Sequence, residues 1–411
     1  MKAFNYRANI FWLGLVQGSN YLIPLLIYPY LAIQLGVEKF GLIAFALNFV
    51  QYFIVLTEYG FILYATKLIS LSRDDNEKLS KIFCTIMSAK IILMILGFFV
   101  YSIIIFNFDI FKSEWNIYIF AYIGVLGNVI FPIWYYQGMD ALKNITIINI
   151  LSKLIMAGLI ILFVKSPEDY ELAILIQSSG TVIAGILTLR LIWYVAPIKI
   201  MIPSLEGIIE TYKNGWHLFI TTAAVTLYSS STVLILGLIT NTTQVGFYSI
   251  AEKIIAAAKG MVNPILYGAY ARINYLTVND KNEAKRFILR IAKVVSIIFF
   301  LGSTILYFSS GLIFEILFSN AYINSVDILK AMAYVPFLAS LSSIIALFVM
   351  IPNGMEKKLS QLTLACGVFN IATCAVLAKS FSGVGAALSV TFTELLILLS
   401  FFIFSKRARK I

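Results

Sequence analysis

The chain has 411 residues, of which 60% are hydrophobic and only 12% charged, about half the charged share of a soluble domain, so a soluble globular fold is excluded. A formal net charge of +11 would suit a nucleic-acid binder, but no nucleic-acid module is recognisable and most basic residues lie in short links between apolar runs. The three cysteines, Cys84, Cys366 and Cys374, fall inside those runs without the spacing of a metal or redox motif, so they read as small packing residues, and no metal or cofactor is implied.

A bilayer core of roughly 30 Å takes about 20 apolar residues per helix. Six runs of that kind span 10–34, 40–64, 82–106, 115–137, 145–164 and 172–194, and six more span 216–239, 247–272, 287–308, 328–351, 359–377 and 383–404. The first is too long for a signal peptide and no small-residue cleavage site follows it, so it is expected to stay as an anchor. Helices follow because each backbone N–H and C=O in lipid must find a partner within its own segment. A β-barrel would show ten-residue alternation, and these runs are continuous.

The sequence therefore predicts an all-α integral membrane protein of 12 transmembrane helices. Its division is a six-helix lobe over 1–195, a basic, Pro-bearing linker over 196–215, a second six-helix lobe over 216–404 and a basic tail over 405–411. With the N-terminus in the cytoplasm, internal connections and termini hold 22 of the 31 basic residues, whereas external ones hold only Lys39, Lys112, Lys165 and Lys379. The positive-inside rule then places both ends in the cytoplasm.

Shifted by half its length, the chain overlays 35–46 (LGVEKFGLIAFA) on 240–251 (TNTTQVGFYSIA), aligning Gly41 with Gly246. An even number of helices per half gives both halves one orientation, as in parallel repeats related by an axis along the membrane normal. Two pseudo-symmetric lobes of this kind enclose a central cavity suited to alternating access. Pro24 and Pro29 in the first helix, Pro132 in the fourth, Pro264 in the eighth and Pro336 in the tenth each remove a backbone hydrogen bond, permitting either a static kink or a hinge.

Charges inside apolar helices carry most of the functional information, since each costs at least about 2.5–3.5 kcal/mol at the bilayer centre unless paired or hydrated. The cations are Lys90, Lys153, Lys253 and Lys259, and the carboxylates are Glu58, Glu252 and Glu394. Lys259 lies roughly 20 Å along its helix, near mid-membrane. Lys90 and Lys153, about 12 Å from cytoplasmic helix ends, are placed to snorkel outward. A net cationic cavity would receive an anionic substrate, and a desolvated carboxylate can bind a coupling ion. The hydroxyl run Thr221, Thr222, Thr226, Ser229, Ser230, Ser231 and Thr232 suits helix packing better than sugar binding. His217, the single histidine, suits an interfacial place beside Trp216.

Pro132, Trp134, Tyr135, Tyr136, Gln137 and Gly138, in PIWYYQGMDALK, resemble the P-x-W-x-x-Q-G signature that ends the fourth helix of bacterial polysaccharide flippases. The stretch 214–253 is similar to that family's seventh and eighth helices, and LGVEKFG to its first external turn. The chain thus resembles, over its full length, the Wzx-type O-antigen flippases of the polysaccharide branch of the multidrug/oligosaccharidyl-lipid/polysaccharide exporter superfamily. The resemblance implies a MATE-like V of two lobes around a cationic cavity. It further implies a bacterial inner-membrane antiporter, coupled to a H+ or Na+ gradient, that turns an undecaprenyl-diphosphate-linked repeat unit to the periplasmic leaflet. Lys90, Lys153, Lys253 and Lys259 would attract the diphosphate, with Glu58, Glu252 and Glu394 as coupling candidates. The implied partners are that lipid-linked oligosaccharide, membrane lipids, a polysaccharide polymerase and a chain-length regulator. A multidrug exporter is the nearest alternative, against which the first helix lacks the Asp that many drug exporters carry. A membrane polymerase or acyltransferase is disfavoured, because no external loop exceeds about a dozen residues and the lone His217 lies in no motif.

Overall fold

The computed structural model describes residues 6–195, 198–318 and 320–408, with side chains at most positions from 18 to 406. The first five residues, 196–197 of the linker, 409–411 of the tail, and the side chains of Thr221 and Ser229 lie outside the described residues. Every regular element among those described is a helix.

The first helix, α1 (Tyr6–Glu58), would be about 80 Å long if straight, more than two bilayer cores. It is interrupted at Gly36, whose φ of 69° and ψ of 170° are not helical. The rings of Tyr28 and Phe40 lie 6.0 Å apart, whereas a straight helix would separate twelve residues by about 18 Å. The chain therefore reverses at Gly36, and α1 is two crossings.

After a break at Tyr59 and Gly60 come α2 (Phe61–Leu71), α3 (Asn76–Asn107), the short α4 (Asp109–Lys112), α5 (Trp115–Ile130), α6 (Ile133–Gly138), α7 (Leu142–Phe163) and α8 (Tyr170–Val195). The second half holds α9 (Leu205–Ile239), α10 (Thr242–Gly260), α11 (Asn263–Asn279), α12 (Lys281–Leu317), α13 (Ser325–Met332), α14 (Val335–Ile345) and α15 (Glu356–Ala408). The last of these also reverses, at Ser382 (φ 50°, ψ −130°), where a Cβ on Gly385 would run into the carbonyl oxygen of Leu377 eight residues back.

Eight helical stretches among the described residues are long and apolar enough to cross a membrane, and two of these are the reversing ones. With α9 and the broken α10 and α11 the crossings number twelve, as the sequence predicts. The lipid-facing surface is apolar: Ile95, Leu96, Phe99 and Ile103 on α3 and Ile298, Leu301, Ile305 and Phe308 on α12 are exposed. Such a surface suits hydrocarbon, and the chain is a multi-pass membrane protein.

Prolines break helices selectively. Helical structure runs on through Pro24 and Pro29, and the chain reverses at Gly36, inside the link expected at 35–39. Pro132 caps α6, Pro264 opens α11 and Pro336 opens α14, and there the missing N–H falls in a first turn that has no intrahelical partner anyway. The linker is shorter than expected, because 205–215 already form the first turns of α9. Before that, the Lys199 N–H donates to Ser80 Oγ at 3.0 Å and the Met201 N–H to Cys84 Sγ at 3.3 Å, stapling the linker to α3.

The internal repeat is visible at atomic level. Asp75 and Asp280, 205 positions apart, each cap the third crossing of a half by accepting from first-turn N–H groups. The Lys78 N–H and ammonium hold the Asp75 carboxyl below the usual range. In both halves the second and fourth crossings are broken, at Tyr59–Gly60 and Met261–Val262, and ahead of Ile133 and Val335. A Cβ on Gly41 would strike the Thr242 carbonyl oxygen, and one on Gly246 would strike that of Val37. Each residue in that pair of contacts is 205 positions from its counterpart, so the contact is reciprocal, as at a two-fold axis.

By packing, the chain divides into two compact units, one of Met1–Ser19 with Ala46–Ser230 and one of Asn20–Phe45 with Ser231–Ile411. The core of the first gathers Phe61, Ile69, Phe83, Trp134, Tyr135 and Tyr136. The second has Val262, Leu266, Ile273, Val295 and Phe348 together.

Candidate functional site

Three of the four lysines singled out in the sequence are ion-paired with the three glutamates. In the first unit, Lys90 Nζ donates to Glu58 Oε1 at 3.0 Å, with the lysine fully buried and the glutamate side chain 12% exposed. Lys90 therefore does not snorkel: it turns inward and also donates to the carbonyl oxygen of Asn128 at 3.3 Å. That carbonyl also accepts from the Phe131 N–H at 3.3 Å. Its ordinary helical donor, the N–H of residue 132, is missing because that residue is a proline, and the Lys90 ammonium makes the second bond there.

Glu58 closes α1 at the break in the second crossing. Tyr59 and Gly60 follow it in left-handed conformation, with φ of 43° and 73°. For a tyrosine this costs of order 1–3 kcal/mol and persists only where surroundings fix it. Its ring stacks on Phe219 at 4.6 Å between centroids and contacts Tyr212. At Gly60 a Cβ would meet that of Leu218 at 2.5 Å, so glycine is required on two counts. Glu58 Oε2 and Asn128 Oδ1 are buried without a hydrogen-bond partner among the described residues.

The rest of the motif is architecture. Trp134 is fully buried, and its carbonyl and Gln137 Oε1 both accept from Thr66 Oγ1, at 3.2 and 3.3 Å. Arg73 Nε donates to the Gly138 carbonyl at 2.6 Å, and a Cβ on Gly138 would crowd Ile69 at 2.5 Å. The signature therefore seats α6 closely on α2.

In the second unit, Lys259 Nζ lies 2.6 Å from Glu394 Oε1. The lysine side chain is 35% exposed and the glutamate 5%, so the cation has an open side and the anion does not. The partner of Lys259 comes from the twelfth crossing. Glu252 pairs with its neighbour Lys253 at 3.0 Å, and the Lys253 ammonium also lies 5.8 Å from the Tyr28 ring centroid. Each pair is locally close to neutral, which tempers the expected net cationic lining. Lys153 is partly buried on α7 and stands outside these three pairs.

An asparagine completes each locus, and a search for charges misses both. Asn370, fully buried, accepts from Thr232 Oγ1 and donates to Thr393 Oγ1, each at 3.2 Å, joining the seventh, eleventh and twelfth crossings beside Glu394. Thr232 thus takes the helix-tying role expected of its hydroxyl run. Asn128 meets the Lys90 pair through its backbone carbonyl, not its amide side chain. A carboxamide within an apolar run is itself unusual, and that signal would have found Asn370. His217 is exposed near the start of α9 beside Trp216.

A family described as "Polysaccharide biosynthesis protein" matches residues 6–270, which include both members of the Lys90 pair and the whole fourth-helix motif. The chain belongs to this family. A curated family relative from Escherichia coli (strain K12), named "Putative O-antigen transporter", is 34% identical over 395 residues, covering 95% of this chain and 94% of the relative. A namesake from Shigella dysenteriae is 26% identical, covering 96% and 98%. Among solved structures, an inward-facing multidrug resistance MATE family transporter of the MOP superfamily has a TM-score of 0.73 at 13% identity, over 96% of this chain and 95% of that one. The lipid II flippase MurJ, in an inward closed conformation, has a TM-score of 0.66 at 14% identity, over 97% and 86%. The fold of this chain is accordingly shared with these solved transporters, and its named relatives are transporters rather than enzymes.

Proposed function

We propose that this polysaccharide biosynthesis family member is a flippase that carries undecaprenyl-diphosphate-linked O-antigen repeat units from the cytoplasmic to the periplasmic leaflet of the bacterial inner membrane. The observation that carries this reading is the 34% identity, over nearly the full length of both chains, with the E. coli relative named "Putative O-antigen transporter". The distribution of Lys and Arg supports the orientation, with both termini cytoplasmic. A polymerase and a chain-length regulator would act on the product.

The Lys259 pair suggests how binding and ion coupling are linked. Lys259 in this reading exchanges Glu394 for the substrate diphosphate on its open side. Glu394, released by the ammonium, then takes the coupling cation. The reverse holds by linkage: a cation on Glu394 releases Lys259 for the anion. The Lys90–Glu58 pair, shut off from solvent, fixes the broken second crossing instead.

Deletion of the gene in its native host tests the reading, with surface polysaccharide and undecaprenyl-linked intermediates analysed together. Loss of surface polymer with complete single repeats trapped on the cytoplasmic leaflet is the expected result. Repeats that reach the periplasmic face unpolymerised would overturn it, as would a change confined to drug sensitivity.

A further inference from the structure

Where α11 ends and α12 begins, a cavity of about 260 Å³ is lined by Arg272, Glu283, Arg286, Phe287 and Arg290. The four α12 residues are spaced i, i+3, i+4 and i+7, so they share one helix face. Arg272, from α11, is held against that face twice: its guanidinium bonds Glu283 Oε1 at 3.3 Å and lies 4.7 Å from the Phe287 ring centroid. Glu283 offsets only one of three guanidiniums, and the remaining like charges repel unless an anion joins them. Planar guanidinium forks match phosphate oxygens in pairs, which lysine ammonium groups do not.

Position and size narrow the anion. The exposed apolar surface of α12 starts at Leu289 and continues through Val294, Ile297 and Ile298, so the cavity lies where hydrocarbon gives way to headgroups. Sites for drug-sized ligands occupy about 300–1,000 Å³, and this one is smaller, suited to a headgroup and not to an oligosaccharide. The internal repeat supplies a control. Residues 205 positions before Arg272, Glu283, Arg286, Phe287 and Arg290 are Lys67, Lys78, Lys81, Ile82 and Thr85. The first half is basic there too, yet it has neither the guanidinium cluster nor the aromatic wall.

We propose that this cavity binds the phosphodiester of an anionic phospholipid. The interaction requires only that the chain be membrane-embedded and is independent of the transported substrate. Native mass spectrometry of the full-length protein, released from vesicles of phosphatidylcholine with or without phosphatidylglycerol, tests it. A retained phosphatidylglycerol adduct is expected. It should weaken roughly thirtyfold in Arg286→Gln/Arg290→Gln, at roughly fivefold per basic side chain at a membrane surface, and persist in Lys78→Gln/Lys81→Gln. Arg286→Lys/Arg290→Lys keeps the charge without the forks and should give an intermediate loss, which covers the case in which the glutamine variant does not fold. Equal losses in the two glutamine variants would reduce the effect to diffuse charge attraction and overturn the proposal. Displacement of the lipid by an equal concentration of inorganic phosphate would overturn it as well, by making free phosphate the ligand.

Discussion

Breaking the Lys90–Glu58 pair from one side should be far more damaging than removing it whole. At 3.0 Å and an effective dielectric of about 20, the attraction is about 5.5 kcal/mol. Each ion loses several kcal/mol of hydration on burial, so the pair's net contribution is small. A single substitution is different, since it leaves a charge buried and unmatched, at a cost of about 3–5 kcal/mol. Lys90→Met should therefore lower the apparent unfolding midpoint in detergent by about 6–20 °C, taking about 2–4 °C per kcal/mol for a unit of some 200 residues. Glu58→Gln should behave similarly, and Lys90→Met/Glu58→Gln should return close to the parent. The assay is thermal loss of the monodisperse species, followed for all four proteins as a double-mutant cycle. A Lys90→Met protein that unfolds at the parental temperature would refute the reasoning, because Glu58 would then need no buried partner.

Lys259→Ala should insert normally yet lower surface polysaccharide, and normal polymer at matched expression would count against the cavity role. Gly246→Ala forces a Cβ into the Val37 carbonyl and should cost at least about 1–3 kcal/mol in unfolding measurements, whereas Gly302→Ala, with open space around it, should be neutral or slightly stabilising. Because the Asp75 carboxyl titrates below its ordinary range, its cap is fully present above that range and is lost only as pH falls through the lowered value. Hydrogen exchange in the first turn of α3, corrected for intrinsic rates, should therefore be as protected at pH 5 as at pH 7, while Asp75→Ala should lose that protection at both.

The crossings were legible because hydrophobic length is a local property, and so were the breaks at Pro132, Pro264 and Pro336. So were the two reversals, since Gly36 and Ser382 fall inside the links expected at 35–39 and 378–382. Less legible was that Pro24 and Pro29 are carried inside a helix, because neighbouring crossings decide which backbone groups can go without partners. Burial cost picked out the charged residues, but not their partners. Glu58 and Lys90 are 32 positions apart and Lys259 and Glu394 are 135 apart, and a single sequence does not say which helix faces meet. Adjacent Glu252 and Lys253 were the one pair that proximity along the chain could suggest. Asn128 entered through its backbone carbonyl, which side-chain chemistry along the sequence does not single out.

The reciprocal seat of Gly41 on Thr242 and Gly246 on Val37 has a genealogical consequence. A surface that fits its own copy needs no second gene to fit it, so an ancestor of half this length, carrying one such glycine, would have dimerised with itself through this seat. Once the two copies were fused, each glycine came to be held by a neighbour free to diverge. A chain of six crossings expressed alone should therefore be the stickiest fragment of this protein, and the glycine its most revealing position to change.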